Sequence, residues 1–363
     1  MKILAAASPG EVRVAAWGPD GLADYALWRP GRPDGVGDVH RGRVTRKVPA
    51  MAGAFVALGD ADGFLPDSEG AREAGEGSLL SVRITRAAQG GKGPRVSAKG
   101  LELPGPGPLG LLRRGPNAVE RLAALHPGAD LWVDDPALAA GLRALAPQIG
   151  PAFDDTVESA IAALHDSAVQ LPGGAAMTLT PTPALVAIDV DLGAATGERR
   201  GKGGAQQAAN RALLPALCRQ LRLRNLSGGI LVDLGGMPMR RRAALGPDFA
   251  EALAGDPLQP RFLGFTALGL AEILRPRVHP PLYELLAGPY AAGLAALRQA
   301  AAQVRLHPAR ALSLVAHPGI IDALQGDATA LVDFTRRAGR PLTLVADRGQ
   351  AAPAWRIVEQ THG

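Results

Sequence analysis

Ala184-Leu-Val-Ala-Ile-Asp189-Val-Asp191 and Ile230-Leu-Val-Asp233 are two apolar stretches that each run into aspartate. Such runs are typical of buried β-strands. An ionised carboxylate directly after a buried strand is costly unless it is paired or binds a metal. Two such strands could place their acids side by side, and paired carboxylates with a divalent cation form a usual site for water attack on a phosphodiester. The alternative for each Asp taken alone is that it caps the turn after its strand.

The segment between the two stretches predicts a helix over about residues 206–223. Leu213, Leu217 and Leu221 recur there at the spacing of one helix face. Pro215 lies inside this segment, and proline inside a helix usually bends or breaks it.

The region around this helix is strongly basic. Between residues 199 and 242 there are ten Lys or Arg residues and a single acid, Asp233. Such a local excess favours a polyanion such as nucleic acid as the partner, and a solvated basic face is the alternative. The basic residues are Arg199, Arg200, Lys202, Arg211, Arg219, Arg222, Arg224, Arg240, Arg241 and Arg242.

The composition is that of an ordinary globular protein. Hydrophobic residues make up 47% and charged residues 20% of 363 residues, and the net charge is +5. This length exceeds one typical core and predicts two or more domains. Cys218 is the one cysteine, which fits a reducing compartment. No stretch approaches the 18 or so apolar residues of a membrane span. We therefore expect a cytoplasmic protein with no membrane partner.

Alternating apolar and polar residues predict the other elements. Residues 2–28 are expected to form a β-hairpin or meander. Five short strands between residues 38 and 99 suit a small closed barrel of the OB type. Residues 101–117 are rich in Pro and Gly and predict a linker. The later helices are expected at 118–125, 136–146, 156–167, 248–253 and 281–304, and the tail from 311 to 358 is expected to form a small α/β domain.

The sequence as a whole resembles the ribonuclease E/G family in four stretches. Asp38 to Pro49, with Ala54–Gly59 and Gly63–Pro66, resembles the family's RNA-binding OB-fold insert, and Thr182–Asp191 resembles its first metal-ligand strand. The most specific match is Asn210 through Arg219-Gln-Leu-Arg-Leu-Arg-Asn-Leu-Ser-Gly-Gly-Ile-Leu-Val-Asp233. Thr266 to Arg277 follows at family-like spacing.

The resemblance implies a catalytic centre and an RNA-binding surface. It makes Asp189 and Asp233 ligands of a magnesium ion, with manganese as a possible substitute, and it places Asp191 as a third catalytic carboxylate where the family usually has Asn. Phe55, Phe64 and Lys92 match the RNA-contacting residues of the insert. The remaining RNA-binding residues that it implies are Arg114, Asn210, Arg219, Arg222, Arg224, Arg275 and Arg277.

The chain departs from the family pattern at several positions. A second acid is expected near position 236, where this chain has Gly236, and the middle basic residue of an Arg-x-Arg element is Pro276. Arg114 is retained from the family's sensor of the RNA 5′ end, but Gly115 replaces the hydroxyl residue that should follow. The paired cysteines of the family's zinc link are missing. We therefore expect weak 5′-end sensing, no zinc, and a homodimer, if one forms, without the zinc link.

The resemblance and the element pattern together predict an α+β, multidomain fold. An RNase H-like scaffold (1–37 and 126–176) carries the OB-fold insert (38–100), and residues 101–125 form a linker with a reduced 5′ sensor. A DNase I-like α/β catalytic domain (177–280) holds the metal, and a small C-terminal α/β domain (281–363) follows.

The expected function is magnesium-dependent endonucleolytic cleavage of single-stranded RNA in RNA processing or decay, leaving a 5′-phosphate on the downstream product, as the resemblance implies. One alternative is an RNA-binding protein of the same fold with weak or no catalysis. A second is a metal-dependent phosphatase for small phosphoesters, which would have no use for the barrel.

Overall fold

The computed structural model describes residues 1–193 and 202–360. Arg199 and Arg200 of the predicted basic run lie outside these residues. The strands are β1 (Lys2–Ser8), β2 (Glu11–Gly18), β3 (Gly21–Trp28), β4 (Val39–Val48), β5 (Gly53–Ala57), β6 (Asp62–Pro66), β7 (Leu79–Arg86), β8 (Arg95–Ser97), β9 (Gly110–Arg113), β10 (Asp130–Val133), β11 (Gln148–Ile149), β12 (Ala168–Gln170), β13 (Ala176–Pro181), β14 (Leu185–Asp191), β15 (Gly228–Asp233), β16 (Arg261–Phe265), β17 (Ala271–Arg275), β18 (Leu312–Ala316), β19 (Thr343–Ala346) and β20 (Trp355–Glu359). The helices are α1 (Ala118–Leu125), α2 (Pro136–Gly141), α3 (Asp155–Ala162), α4 (Lys202–Leu223), α5 (Met239–Arg242), α6 (Gly246–Ala254), α7 (Leu282–Leu285), α8 (Gly288–Leu306), α9 (Pro318–Gln325) and α10 (Ala328–Ala338).

The chain divides into two compact units, and the elements confirm a mixed α+β architecture with several sheets. The first unit contains Met1–Asp20, Tyr25–Asp154 and Tyr283–Gly363, and the second contains Gly21–Asp24 and Asp155–Leu282. No helix in the described part of the chain is both long enough and apolar enough to cross a membrane.

The N-terminal strands form the predicted meander within a five-stranded sheet of order β11-β10-β1-β2-β3. β1 pairs with β2 in antiparallel register and with β10 in parallel register. Helix α1 spans the residues that the sequence predicts, 118–125. Its start is fixed by a reciprocal capping box between Asn117 and Glu120.

The predicted five-stranded barrel is present and closed. Its strands follow the order β5-β6-β8-β7-β4, and β4 pairs again with β5 to complete the ring. β6 and β8 are parallel, whereas the other neighbours are antiparallel. Alternate residues point inwards, and the barrel core includes Val44, Val56, Leu65, Val82 and Val96.

The linker prediction for residues 101–117 is wrong over Gly110–Arg113. These residues form β9, which pairs with the first residues of β4 in antiparallel register. The prediction missed this strand because its side chains are mostly exposed and show no clear alternation, so that only the pairing partner defines it.

The sheet of the second unit has the order β12-β13-β14-β15-β17-β16. β14 and β15 are parallel and are joined through α4, while the other pairs are antiparallel. α4 continues through Pro215, and its leucines Leu213, Leu217 and Leu221 are buried in the core of this unit. The β16–β17 hairpin was not predicted from the sequence.

The C-terminal part of the first unit contains the sheet β19-β18-β20 and helices α8, α9 and α10 around a separate core. The single helix expected over 281–304 is two helices, α7 and α8. The break between them covers residues 286–287, and α8 then begins at Gly288, whose φ is +83°, with Pro289 in its first turn.

Candidate functional site

Asp189 and Asp233 lie next to each other on neighbouring strands. The parallel register of β14 and β15 makes them direct Cα partners, and hydrogen-bonded strands are separated by about 4.8 Å. Both residues are exposed, whereas Ile188 and Val232, the residues before them, are buried on the opposite face. The structure therefore places both carboxylates on one face of the sheet, which we call the acidic face.

The connection through α4 explains this juxtaposition. β14, α4 and β15 form a strand–helix–strand unit whose two strands run in the same direction. The carboxyl ends of both strands therefore lie at the same edge of the sheet. The buried face of β14 and β15 packs against Leu214, Leu217 and Leu221 of α4 in one hydrophobic core. This packing fixes which face of each strand points outwards, because neighbouring side chains alternate between faces.

Arg242 pairs with one of the two carboxylates. Its Nη1 lies 3.2 Å from Asp233 Oδ1, and the Arg242 side chain is 13% exposed. The guanidinium also donates to Met237 O from Nε (2.9 Å) and to Gly269 O from Nη1 (2.5 Å). These two backbone carbonyls thus hold the Arg242 guanidinium against Asp233. In the sequence Arg242 stands out only as part of the basic run, since nothing local shows that it turns back to this aspartate.

Asp191 lies two residues beyond Asp189 on β14 and is exposed in the same way. Its Oδ1 accepts a hydrogen bond of 2.8 Å from the backbone N–H of Gly193. Glu272, which the sequence reasoning did not single out, is the register partner of Leu231 on β17. Leu231 precedes Asp233 by two residues, so alternation places Glu272 on the acidic face as well.

The acidic face suits a hard divalent cation held by two carboxylates. Among residues 1–193 and 202–360, no three His, Cys, Asp or Glu side chains come together in a group that could hold a metal. Mg²⁺ does not need such a group, because it retains several waters and is usually bound through one or two carboxylates. The fit therefore depends on Asp189 and Asp233, whose oxygens are the ligands that Mg²⁺ and Mn²⁺ prefer.

The loop after β15 is held by α4. Asn210 is fully buried, and its Nδ2 donates to Gly235 O (3.1 Å) and to Gln206 O (2.9 Å). Gly236 has φ +70°, and a Cβ there would lie 2.7 Å from Gln206 Nε2. The acid expected near this position is therefore replaced by a residue that suits the backbone conformation and the close approach of Gln206.

The three arginines at the end of α4 make contacts within the second unit. Arg219 Nε donates to Leu22 O (2.9 Å), and Arg222 Nε lies 2.9 Å from Asp24 Oδ1. Arg224 is buried and donates from Nη2 to Ala163 O (2.9 Å). Burial lowers the pKa of Arg224 to about 10, against the opposing effect of Asp166. An RNA-binding role for these residues stays a prediction, and the observed contacts are structural.

Arg275 and Arg277 differ in exposure. Arg275 is buried and forms a two-pronged pair with Asp256, through Nε to Oδ2 at 2.6 Å and Nη2 to Oδ1 at 3.2 Å. Arg277 is exposed and lies over Gly228, where a Cβ would collide with its guanidinium. Of these two predicted RNA contacts, Arg277 is the one whose charge reaches the surface.

Cys218 lies in α4 and is buried in the core of the second unit. Burial, together with the charge of Asp256, raises the pKa of its thiol to about 12. A buried thiol that stays protonated is a poor metal ligand.

The barrel presents two aromatic rings beside basic side chains. Phe55 on β5 and Phe64 on β6 are direct register partners, with ring centroids 5.8 Å apart in an edge-to-face arrangement. The guanidinium of Arg46 lies 5.4 Å from the Phe55 centroid, and Arg95 is the register partner of Phe64. Both rings are half-buried, so they lie on the outer surface of the barrel rather than in its core. We call these four residues the barrel platform.

Lys92 and Arg114 belong to other parts of the first unit's surface. Lys92 is exposed in a tight turn, where its backbone pairs with Gln89. Arg114 Nη1 lies 2.7 Å from Asp38 Oδ2, and Asp38 Oδ1 accepts the N–H of Gly115 at 2.7 Å. Arg114 and Asp38 line a cleft of about 560 Å³, whose other lining residues include Trp28 and Arg121.

The segment that carries the acidic face is similar to known proteins. Residues 144–278 match the model of the Ribonuclease E/G family. This part of the chain is therefore similar to the ribonuclease E/G family. The matched segment contains β14, α4, β15 and β17, and therefore Asp189, Asp191, Asn210 and Asp233.

Individual relatives give the same result. A protein named Ribonuclease E from Nostoc sp. (strain PCC 7120) is 36% identical over 118 residues, which are 32% of this chain and 17% of that protein. Ribonuclease E of Escherichia coli (strain K12) is 35% identical over 131 residues, which are 35% of this chain and 12% of that protein. Ribonuclease G of the same strain is 33% identical over 139 residues, which are 38% of this chain and 28% of that protein.

The alignments thus span between 12% and 28% of the length of these relatives. The ribonuclease E/G family match begins at residue 144, so the barrel platform and Arg114 with its cleft precede it in the chain and lie outside it.

Proposed function

We propose that the chain is an endoribonuclease that cleaves single-stranded RNA with a divalent cation, Mg²⁺ or in its place Mn²⁺, held by Asp189 and Asp233. The five-stranded sheet β11-β10-β1-β2-β3 would belong to an RNase H-like scaffold. The six-stranded sheet that carries the acidic face would belong to a DNase I-like catalytic domain. The observation that carries the proposal is the direct register pairing of Asp189 and Asp233 within the segment that matches the ribonuclease E/G family.

The chemistry at the acidic face follows from its carboxylates. A bound divalent cation would polarise a phosphoryl oxygen and lower the pKa of the attacking water. Asp189 and Asp233 would hold that cation from two adjacent strands, which fixes their separation before RNA arrives. Asp191 accepts the Gly193 N–H through Oδ1, and its Oδ2 would accept a proton or orient water.

The barrel platform would bind the single strand. Every base has a π face that stacks on an aromatic ring, so Phe55 and Phe64 provide affinity with little dependence on sequence. Arg46 and Arg95 lie beside the rings and would neutralise the backbone phosphates. This combination favours single-stranded RNA over a small phosphoester as the substrate.

The deciding experiment incubates the wild-type protein with end-labelled single-stranded RNA in Mg²⁺ or in EDTA and maps the product ends. We expect internal cleavage in Mg²⁺ and no cleavage in EDTA. Asp189→Asn and Asp233→Asn should abolish cleavage while RNA affinity, measured by filter binding without metal, stays near that of the wild type. Each substitution removes a negative charge from the acidic face and leaves the barrel platform unchanged.

Asp130→Asn is a matched control for these variants, because Asp130 is also exposed on a strand but lies on β10 of the other unit. It should cleave like the wild type. Equal cleavage by wild type, Asp189→Asn and Asp233→Asn would contradict the assignment of the metal site.

A second candidate is an RNA-binding protein of the same fold without cleavage. Two observations favour it: Asp233 is already paired with Arg242, and Gly236 stands where a further acid is expected. It predicts tight RNA binding and intact substrate in the cleavage assay with Mg²⁺.

A further inference from the structure

A cation that binds Asp233 must share this carboxylate with Arg242. Arg242 Nη1 contacts Oδ1 at 3.2 Å, while the Asp233 side chain is 53% exposed. One oxygen therefore faces the guanidinium, and the exposed remainder of the carboxylate can meet a ligand from solvent.

The Arg242 guanidinium is held in position by the protein. Nε and Nη1 donate to Met237 O and Gly269 O, and the side chain is 13% exposed. Carbonyl oxygens have partial charges only, so these two bonds orient the guanidinium without neutralising it. Arg240, two residues earlier in the same short helix, is exposed. The two arginines thus carry the same charge but differ in whether the backbone fixes them at the acidic face.

We propose that Arg242 is a built-in counter-ion that weakens divalent-cation binding at Asp189 and Asp233, so that the cation has to compete with the guanidinium for Asp233. This inference rests on the proposed function of the Asp189–Asp233 pair. A fixed positive charge a few ångströms from a divalent cation repels it, and the repulsion is screened incompletely at a partly buried position. Arg242 acts through Asp233 and is a positioning residue.

The test measures Mn²⁺ binding to RNA-free protein by electron paramagnetic resonance, which detects the free ion. Arg242→Gln retains a hydrogen-bond donor but removes the charge, and we expect it to bind Mn²⁺ about tenfold or more tightly than the wild type. Arg242→Lys retains the charge and should remain within about threefold of the wild type. Arg240→Gln removes one charge from the same helix at an exposed residue and should leave the affinity unchanged.

The same titration separates this inference from the metal site itself. If the wild type does not bind Mn²⁺, or if Asp233→Asn binds it as tightly as the wild type, the Asp189–Asp233 site is wrong. The proposal for Arg242 is then wrong as well. If that binding exists but Arg242→Gln binds as weakly as the wild type or more weakly, the site stands and the role of Arg242 is wrong. Equal tightening by Arg242→Gln and Arg242→Lys would also overturn it, because charge would not be the cause.

A measurement on the unmodified protein covers the case in which Arg242→Gln does not fold. In a ¹⁵N-arginine spectrum of the wild type, assigned with Arg242→Lys, addition of Mg²⁺ should shift the Arg242 Nε–H signal as the cation takes Asp233. The Asp189→Asn variant should lose this response. An Arg242 signal that does not respond to saturating Mg²⁺ would overturn the competition.

Discussion

Asp189 and Asp233 are register partners across two parallel strands, although the whole of α4 lies between them in the chain. The pairing places two carboxylates on an exposed face directly above a buried core. Like charges this close repel each other, so each acid is more stable with a counter-ion. Arg242 supplies one for Asp233, and a divalent cation would supply one for both.

The barrel platform predicts a loss of RNA affinity when its rings are removed. Phe55→Leu and Phe64→Leu retain apolar volume but lose the π face, and each should weaken binding of a single-stranded RNA by about 1–3 kcal/mol. Fluorescence anisotropy at fixed salt measures this. Phe153→Leu is the control, because Phe153 is also half-buried beneath an arginine, Arg13, but lies outside the barrel. A similar loss in all three variants would contradict a specific platform.

Gly236 predicts that restoring the expected acid will not repair the site. Gly236→Asp forces a side chain into a left-handed backbone conformation and against Gln206, and should destabilise the protein by about 1–3 kcal/mol. Urea unfolding measures the change. Gly173→Asp provides the comparison, since Gly173 has φ +77° but a Cβ added there would meet nothing within 4 Å. If both variants lose the same stability, the contact with Gln206 has no cost.

The Arg114–Asp38 pair predicts weak discrimination of the RNA 5′ end. Arg114 is already engaged by a buried carboxylate at 2.7 Å, so a 5′-monophosphate would have to compete with Asp38 for it. We expect 5′-phosphorylated and 5′-hydroxyl substrates to be cleaved at rates within about tenfold of each other. Asp38→Asn should increase the preference for the monophosphate by freeing Arg114. A large preference in the wild type would contradict this prediction.

Asp135 predicts a pH-dependent contribution to stability. Burial raises its pKa, but the N–H of Leu138 and the charges of Arg337 and Arg336 outweigh burial, so the pKa is lowered overall. A lowered pKa stabilises the fold above the pKa of the unfolded chain, and this stability is lost as the pH falls through the folded-state pKa.

The variant Asp135→Asn isolates this effect because Asn still caps α2 but cannot pair with Arg336 and Arg337. It should be less stable than the wild type at pH 7, and the difference should shrink as the pH falls below about 4. Thermal unfolding at several pH values measures it. A difference that does not change with pH would show that the ion pairs contribute nothing.

Much of the fold could be predicted because local patterns define it. α1 has the bounds that the sequence predicts, since Asn117 and Glu120 cap the start of the helix. β9 and β16 could not be predicted in this way. Each is an exposed or irregular stretch that becomes a strand only through its pairing with β4 or β17.

The aspartates of the candidate site could be predicted from the sequence, but the ion-pair partners of its arginines could not. Asp189 and Asp233 follow apolar runs, and burial of those runs fixes where the acids emerge. The arginines in and near the basic run look alike in the sequence, but Arg222 pairs with Asp24, Arg275 with Asp256 and Arg242 with Asp233. A long flexible side chain can reach several partners, so its sequence position does not reveal which one it contacts.

The sequence by itself determined the strands that end in carboxylate and the helix between them, because these depend on hydrophobic periodicity within short segments. Tertiary structure alone decided which arginines are buried in ion pairs, which one faces Asp233, and that Phe55 and Phe64 lie together on the barrel surface. Those outcomes depend on contacts between residues distant in the chain, and such contacts form only when the register and burial of whole elements are fixed.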